Sequence, residues 1–191
     1  MLAEPLNAVS NLAFLGAAAL AWRRAGKRRD QRALAALLAA IGLGSALFHS
    51  WATPLAQLCD VVPIALFQLV YLILYLRRVA RLGRSATCVW LVIYSAALAG
   101  ASQTASLLNG SLAYAPAALA LLILGVVHCR LRGRIDVLVA ALLFLLSLSA
   151  RTVDLMLCAR WPFGTHFLWH LLNAAMLYGL LSAYREATRE N

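Results

Sequence analysis

Apolar residues run along this chain in long blocks, and short polar or basic clusters separate one block from the next. A helix that crosses a bilayer needs about 20 such residues, because lipid cannot hydrogen-bond an exposed backbone. Seven blocks meet that length, approximately 5–22, 33–49, 54–76, 86–105, 112–129, 135–153 and 163–184. Spread over 191 residues, they leave about 27 residues for each span and its connection. The pattern predicts an all-α, polytopic membrane protein: a seven-transmembrane helix bundle forming a single domain, 1–191, with no separate soluble domain.

Composition supports this. Hydrophobic residues make up 63% of the chain and charged residues 13%, with mean hydropathy +0.80, against the roughly 45–50% apolar share of a soluble domain. A soluble enzyme is excluded, and so are a disordered chain and a disulfide scaffold. The net charge of +10 does not imply a nucleic-acid partner, because the basic residues sit in short runs between apolar blocks rather than on one face. Those runs follow the first, third, fifth and seventh blocks, at 23–32, 77–84, 130–134 and 185–189, and hold fifteen of the seventeen basic residues; only Arg151 and Arg160 lie on the alternate side. Basic loops stay cytoplasmic, so the N-terminus is expected outside and the C-terminus in the cytoplasm. We read the runs as topology anchors in preference to headgroup recognition. The first block is read as a retained helix, since its basic run follows the apolar stretch, whereas a signal peptide places it in front.

Ionisable groups are costly inside spans and usually face the bundle interior. In this topology Glu4, Asn7, Ser10 and Asn11 begin helix one, Ser45 and His49 end helix two, and Asp60 begins helix three. Arg151 and Asp154 end helix six, and His166, His170 and Asn173 begin helix seven. All converge on one, outer, membrane depth. His166 and His170 stand i, i+4, one turn apart on one helix face, a spacing that a single zinc ion can bridge. His49 would supply a third imidazole and leave one tetrahedral position open. Ser45, i, i+4 from His49, could hold a substrate carbonyl or a water. A Ser–His–Asp triad with Ser45 as nucleophile competes, but leaves the His166 and His170 pair without a task. A haem clamped between histidines fits their clustering at one depth less well.

The remaining polar residues have simpler readings. Glu4, Asn7 and Asn11 line one face of helix one and read as interhelical glue, because their oxygens fall short of the six to eight that calcium takes. Arg151 and Asp154 are expected to pair or to touch a headgroup. His128 reads as interfacial at the cytoplasmic end, where no polar cluster is expected. Cys88 and Cys129 should be reduced, while Cys59 and Cys158, near the outer face, leave a bridge open.

Three segments together resemble a known pattern: Glu4-Pro5-Leu6-Asn7-Ala8-Val9-Ser10-Asn11, Gly44-Ser45-Ala46-Leu47-Phe48-His49 with Asp60 eleven residues on, and His166-Phe167-Leu168-Trp169-His170. The chain resembles the alkaline ceramidase family of the CREST superfamily of seven-span membrane hydrolases, which also includes adiponectin-type receptors and GPI-lipid remodelling proteins. That resemblance implies a zinc-dependent amidase that cleaves the N-acyl bond of ceramide, or a related N-acyl lipid, into a long-chain base and a fatty acid. It implies His49, His166 and His170 as zinc ligands, with Ser45 and Asp60 in the site. Eukaryotic members bind calcium through an acidic stretch and the glutamate matching Glu4; no such stretch precedes Glu4 here, which argues against calcium activation. The short N-terminus and compact loops look bacterial, placing the chain in an inner membrane with its site near the outer, periplasmic leaflet. Two other readings stay open: a non-catalytic, zinc-containing seven-span lipid receptor or sensor, and a small transporter, which a second polar cluster at the cytoplasmic end would favour.

Overall fold

The computed structural model describes residues 4–104, 107–158 and 160–189. They form eight α-helices and a short 3-10 segment, with no strand among the described residues. The helices are α1 Pro5–Ser10, α2 Leu12–Ala25, α3 Arg29–Trp51, α4 Pro54–Arg78, α5 Arg84–Ser102, α6 Ala115–Arg132, α7 Asp136–Cys158 and α8 His166–Ala187, with the 3-10 segment at Leu107–Tyr114. The expected blocks fall on helices over most of their length, although the seventh, expected from 163, becomes helical only at His166. The first is divided at Asn11 into α1 and α2. The fourth helix stops at Ser102, and the expected end of that block, Ala105, lies outside the described residues. The fifth is entered through the 3-10 segment, in which Leu108, Asn109 and Gly110 adopt left-handed backbone angles.

Among the described residues, six stretches are long and apolar enough to cross a membrane: Pro5–Ala25, Arg29–Trp51, Pro54–Arg78, Arg84–Ser102, Leu107–Arg132 and Asp136–Cys158. The final helix, α8, has the length, 22 residues, but is not one of them, because His166, His170, Asn173, Arg185 and Glu186 dilute its apolar content. It is also the helix with the most buried positions, eleven between Trp169 and Ala187. A helix that faces protein on most sides needs little of the hydrophobicity that lipid demands. By contrast, α5 buries only Thr87 and Tyr94 and turns Val89, Val92 and Ile93 outward.

Local chemistry fixes the α3–α4 hairpin that carries half of the polar cluster. α3 ends at Ala52 in the left-handed region, φ 50°, and α4 starts at once, with the Thr53 hydroxyl accepting from the Ala56 N–H at 3.2 Å and Pro54 in the first turn, a pre-organised helix start. So short a link forces the two helices to lie antiparallel in contact. Their closest approach is at Gly44, where a Cβ would overlap the Cys59 carbonyl and lie 3.1 Å from the Asp60 nitrogen. Pro63, four residues after Cys59 within α4, has no N–H to offer that carbonyl, which leaves it turned to the neighbouring helix.

The arginine-rich end corrects two expectations. His128 is fully buried, with Nδ1 2.9 Å from the Tyr75 hydroxyl and Nε2 2.9 Å from Asp136 Oδ1. Asp136 also takes Arg134, which reaches on to Glu186, so this end does hold a polar cluster. Its members satisfy one another and tie α4, α6, α7 and α8 together, as interhelical bonding does in a bundle. Cys59 and Cys158 are both free, so the bridge left open by the sequence is absent.

Candidate metal centre

His49 comes from the last turn of α3, and His166 and His170 from the first two turns of α8. Their ring centroids form a near-equilateral triangle, with sides of 5.1 Å (His49 to His166), 4.8 Å (His49 to His170) and 4.9 Å (His166 to His170). One ligating nitrogen from each ring lies within 4.8 Å of the others, with His49 and His170 buried and His166 half-buried.

The hydrogen bonds of two rings decide which nitrogen faces that centre. Nδ1 of His49 is 2.6 Å from Glu4 Oε2, and the same oxygen accepts from Asn7 Nδ2 at 2.8 Å. That bond from His49 holds the Glu4 carboxyl down to about 2, so it is ionised and can only accept. The proton of His49 is therefore on Nδ1. Nδ1 of His170 is 2.7 Å from Ser10 Oγ, whose own proton goes to the Asn7 carbonyl at 2.8 Å. His170 must then also donate from Nδ1. Both rings keep Nε2 as a lone pair, the tautomer that second-shell partners impose on metal-bound histidines. Three clustered imidazoles with two ligand tautomers set in this way fit a zinc ion with an open position.

Calcium fits less well. Asn7 Oδ1 and Asn11 Oδ1 are buried and accept no hydrogen bond from the described residues, but even with Glu4 they fall short of the six to eight oxygens the ion takes. Glu4 and Ser10 instead serve the imidazoles. The sequence reading of α1 as interhelical glue missed this, although the placing of Glu4, Asn7 and Ser10 at one helix end was a usable signal.

Asp60, half-buried on α4, interacts with the Ser45 hydroxyl and stands in the field of His49 and Arg151. Ser45 itself is buried, one turn deeper than His49 on α3. All five candidate residues are thus brought to one end of the bundle.

Arg151 and Asp154 depart from the expected pair. Asp154 Oδ1 accepts from the backbone nitrogens of Thr165 and His166, at 2.6 and 2.9 Å, and so caps the helix that carries both α8 histidines. Gly164, at φ +59°, makes room: a Cβ there would collide with the same carboxylate. The Arg151 guanidinium lies over the rings of Tyr114 and Trp169, 5.5 and 5.3 Å from their centroids. It adds a cation beside the histidines and Asp60. Its contacts come from distant segments, whereas its sequence neighbour Asp154, three residues on, suggested a local ion pair.

Among comparisons with known proteins, a family model described as Ceramidase matches residues 1–190. No curated protein matches the chain.

Proposed function

The chain belongs to the ceramidase family, and from that membership we propose that it is a zinc-dependent intramembrane amidase acting on ceramide or a related N-acyl lipid. The observation that carries this reading is the histidine triangle, with two of its ring protons committed to Glu4 and Ser10. His49, His166 and His170 would hold the ion. When bound, zinc supplies Lewis-acid polarisation of the amide carbonyl and acidification of water toward a pKa of ~7.

The protein's own groups do the rest. Asp60 takes the proton from the attacking water and returns it to the departing amine, so the carboxylate is restored at the end of the cycle. As Asp60 becomes protonated, the Ser45 hydroxyl is released from it and donates to the carbonyl oxygen as negative charge builds there. The products are a fatty acid and a long-chain base.

We also infer seven spans, with α8 as the seventh, the N-terminus outside and the C-terminus cytoplasmic. The distribution of basic residues supports this orientation. It puts the site at the outer leaflet, of an inner membrane if the compact loops mark a bacterial chain, where a lipid can keep its acyl chain between helices while its amide meets the site. The bundle works as one domain. The test is product analysis: purified protein incubated with a panel of N-acyl lipids should release base and fatty acid in equal amounts. A zinc-loaded protein that turns over no lipid amide would give way to the receptor reading.

A further inference from the structure

The three helices that carry all five candidate residues at one end converge again at the other. The start of α3, the end of α4 and the residue after α8 border a depression of about 560 Å³ that opens to solvent, lined by Arg28, Arg29, Arg77, Arg78 and Arg81 together with Asp30 and Thr188. Membrane anchoring alone requires only that each basic run reach the headgroup layer separately. The antiparallel α3–α4 hairpin brings these two runs to one level, and Thr188 after α8 joins them in a single depression.

Several of the arginines are held in place. Arg28 donates to Thr188 Oγ1 at 3.1 Å. Arg78 donates to Asp30 Oδ2 at 2.7 Å, and the Tyr184 hydroxyl donates to the same oxygen at 2.6 Å. Asp30, the one carboxylate among the described lining residues, is thereby engaged by Arg78 and by α8. Arg81, at φ 56°, lies in the left-handed turn that closes α4, where the Leu82 N–H donates to the Leu76 carbonyl at 2.9 Å. Guanidinium groups present a planar fork that matches phosphate oxygens. At about 560 Å³ the depression is far larger than a lone inorganic phosphate. It also lies at the helix ends, the level at which basic pockets meet anionic lipid headgroups.

We propose that this depression binds the phosphate-bearing headgroup of an anionic phospholipid, which ties the arginine-rich ends of α3, α4 and α8 together. The proposal stands independently of the amidase reading. Its test uses the full chain purified in neutral detergent, with binding followed by native mass spectrometry and by the thermal unfolding midpoint. The probes are phosphatidylglycerol, phosphatidylcholine and inorganic phosphate. Phosphatidylglycerol is expected to bind saturably and raise the midpoint, and phosphatidylcholine to do neither. Arg29→Gln/Arg81→Gln should weaken phosphatidylglycerol binding at least tenfold. Arg84→Gln/Arg130→Gln, which removes two exposed charges outside the depression, should change it less than twofold. If the double variant does not fold, Arg29→Gln alone carries the comparison. The proposal is overturned if both pairs of substitutions act alike, if phosphatidylcholine binds as well, or if inorganic phosphate alone gives the full shift and the lipid adds nothing, which would assign the depression to a soluble anion.

Discussion

His49 and His170 each turn Nδ1 to a fixed acceptor, Glu4 and Ser10, so the short α1 and its cap set the tautomers of imidazoles that lie 45 and 160 residues away in sequence. Glu4→Gln and Ser10→Ala are each expected to lower zinc affinity by roughly 10–100-fold, measured by competition with a chromophoric chelator; unchanged affinity in both would mean that the rings are oriented by something else. His166→Ala or His170→Ala should strip the metal altogether. Asp60→Asn should keep zinc and fold while losing roughly 10²–10⁴-fold in hydrolysis, and a parental rate in that variant would remove Asp60 from the mechanism. The histidines were legible in the sequence, because i, i+4 spacing and helix-end placement are local and topological facts. The partners of their ring nitrogens were not. Those depend on the break at Asn11, which separates the short α1 from α2 and follows from no spacing rule. An acyl-enzyme trapped on Ser45 would replace this chemistry with the triad.

At the scale of the helices, Gly44 and Pro63 jointly set how α3 and α4 meet. Pro63 leaves the Cys59 carbonyl without its usual donor, and Gly44 lets that carbonyl approach where any Cβ would overlap it. Gly44→Ala is therefore expected to push the helices apart beside Ser45 and Asp60, costing about 1–3 kcal/mol as overpacking does. A lowered unfolding midpoint and reduced turnover would show it. Asp154 offers a parallel test on α8. Asp154→Ala removes the acceptor of two backbone N–H groups at the helix start and should cost about 2 kcal/mol, whereas Asp154→Asn keeps an acceptor oxygen and should lose less. Equal stability of the two variants would show that the cap does not hold α8. Helix positions were readable because the apolar blocks are long. The capping was not, since it joins residues on two helices through the fold of the 160–165 loop.

Over the whole molecule, the division of charge and the division of candidate chemistry coincide: most arginines gather at one end, and His49, His166, His170, Asp60 and Ser45 at the other. The sequence conveyed that polarity through loop charge alone. It understated the basic end, reading His128 as interfacial where the bundle buries it against Tyr75 and Asp136, because burial there arises from packing of four helices. The orientation can be checked with the native thiols Cys158 and Cys88, exposed near opposite ends. In single-cysteine variants, an impermeant maleimide applied to intact cells should label Cys158 and leave Cys88 unmodified until the membrane is opened, and the reverse pattern would invert the topology. We propose that a metal held by His49, His166 and His170 makes this bundle a hydrolase of lipid amides. The decisive experiment follows release of long-chain base from ceramide by the purified chain before chelation, after complete zinc removal, and after zinc is restored. Activity is expected to disappear with the metal and to return with about one zinc per chain; hydrolysis that continues undiminished in the fully metal-free protein would overturn the metal's role.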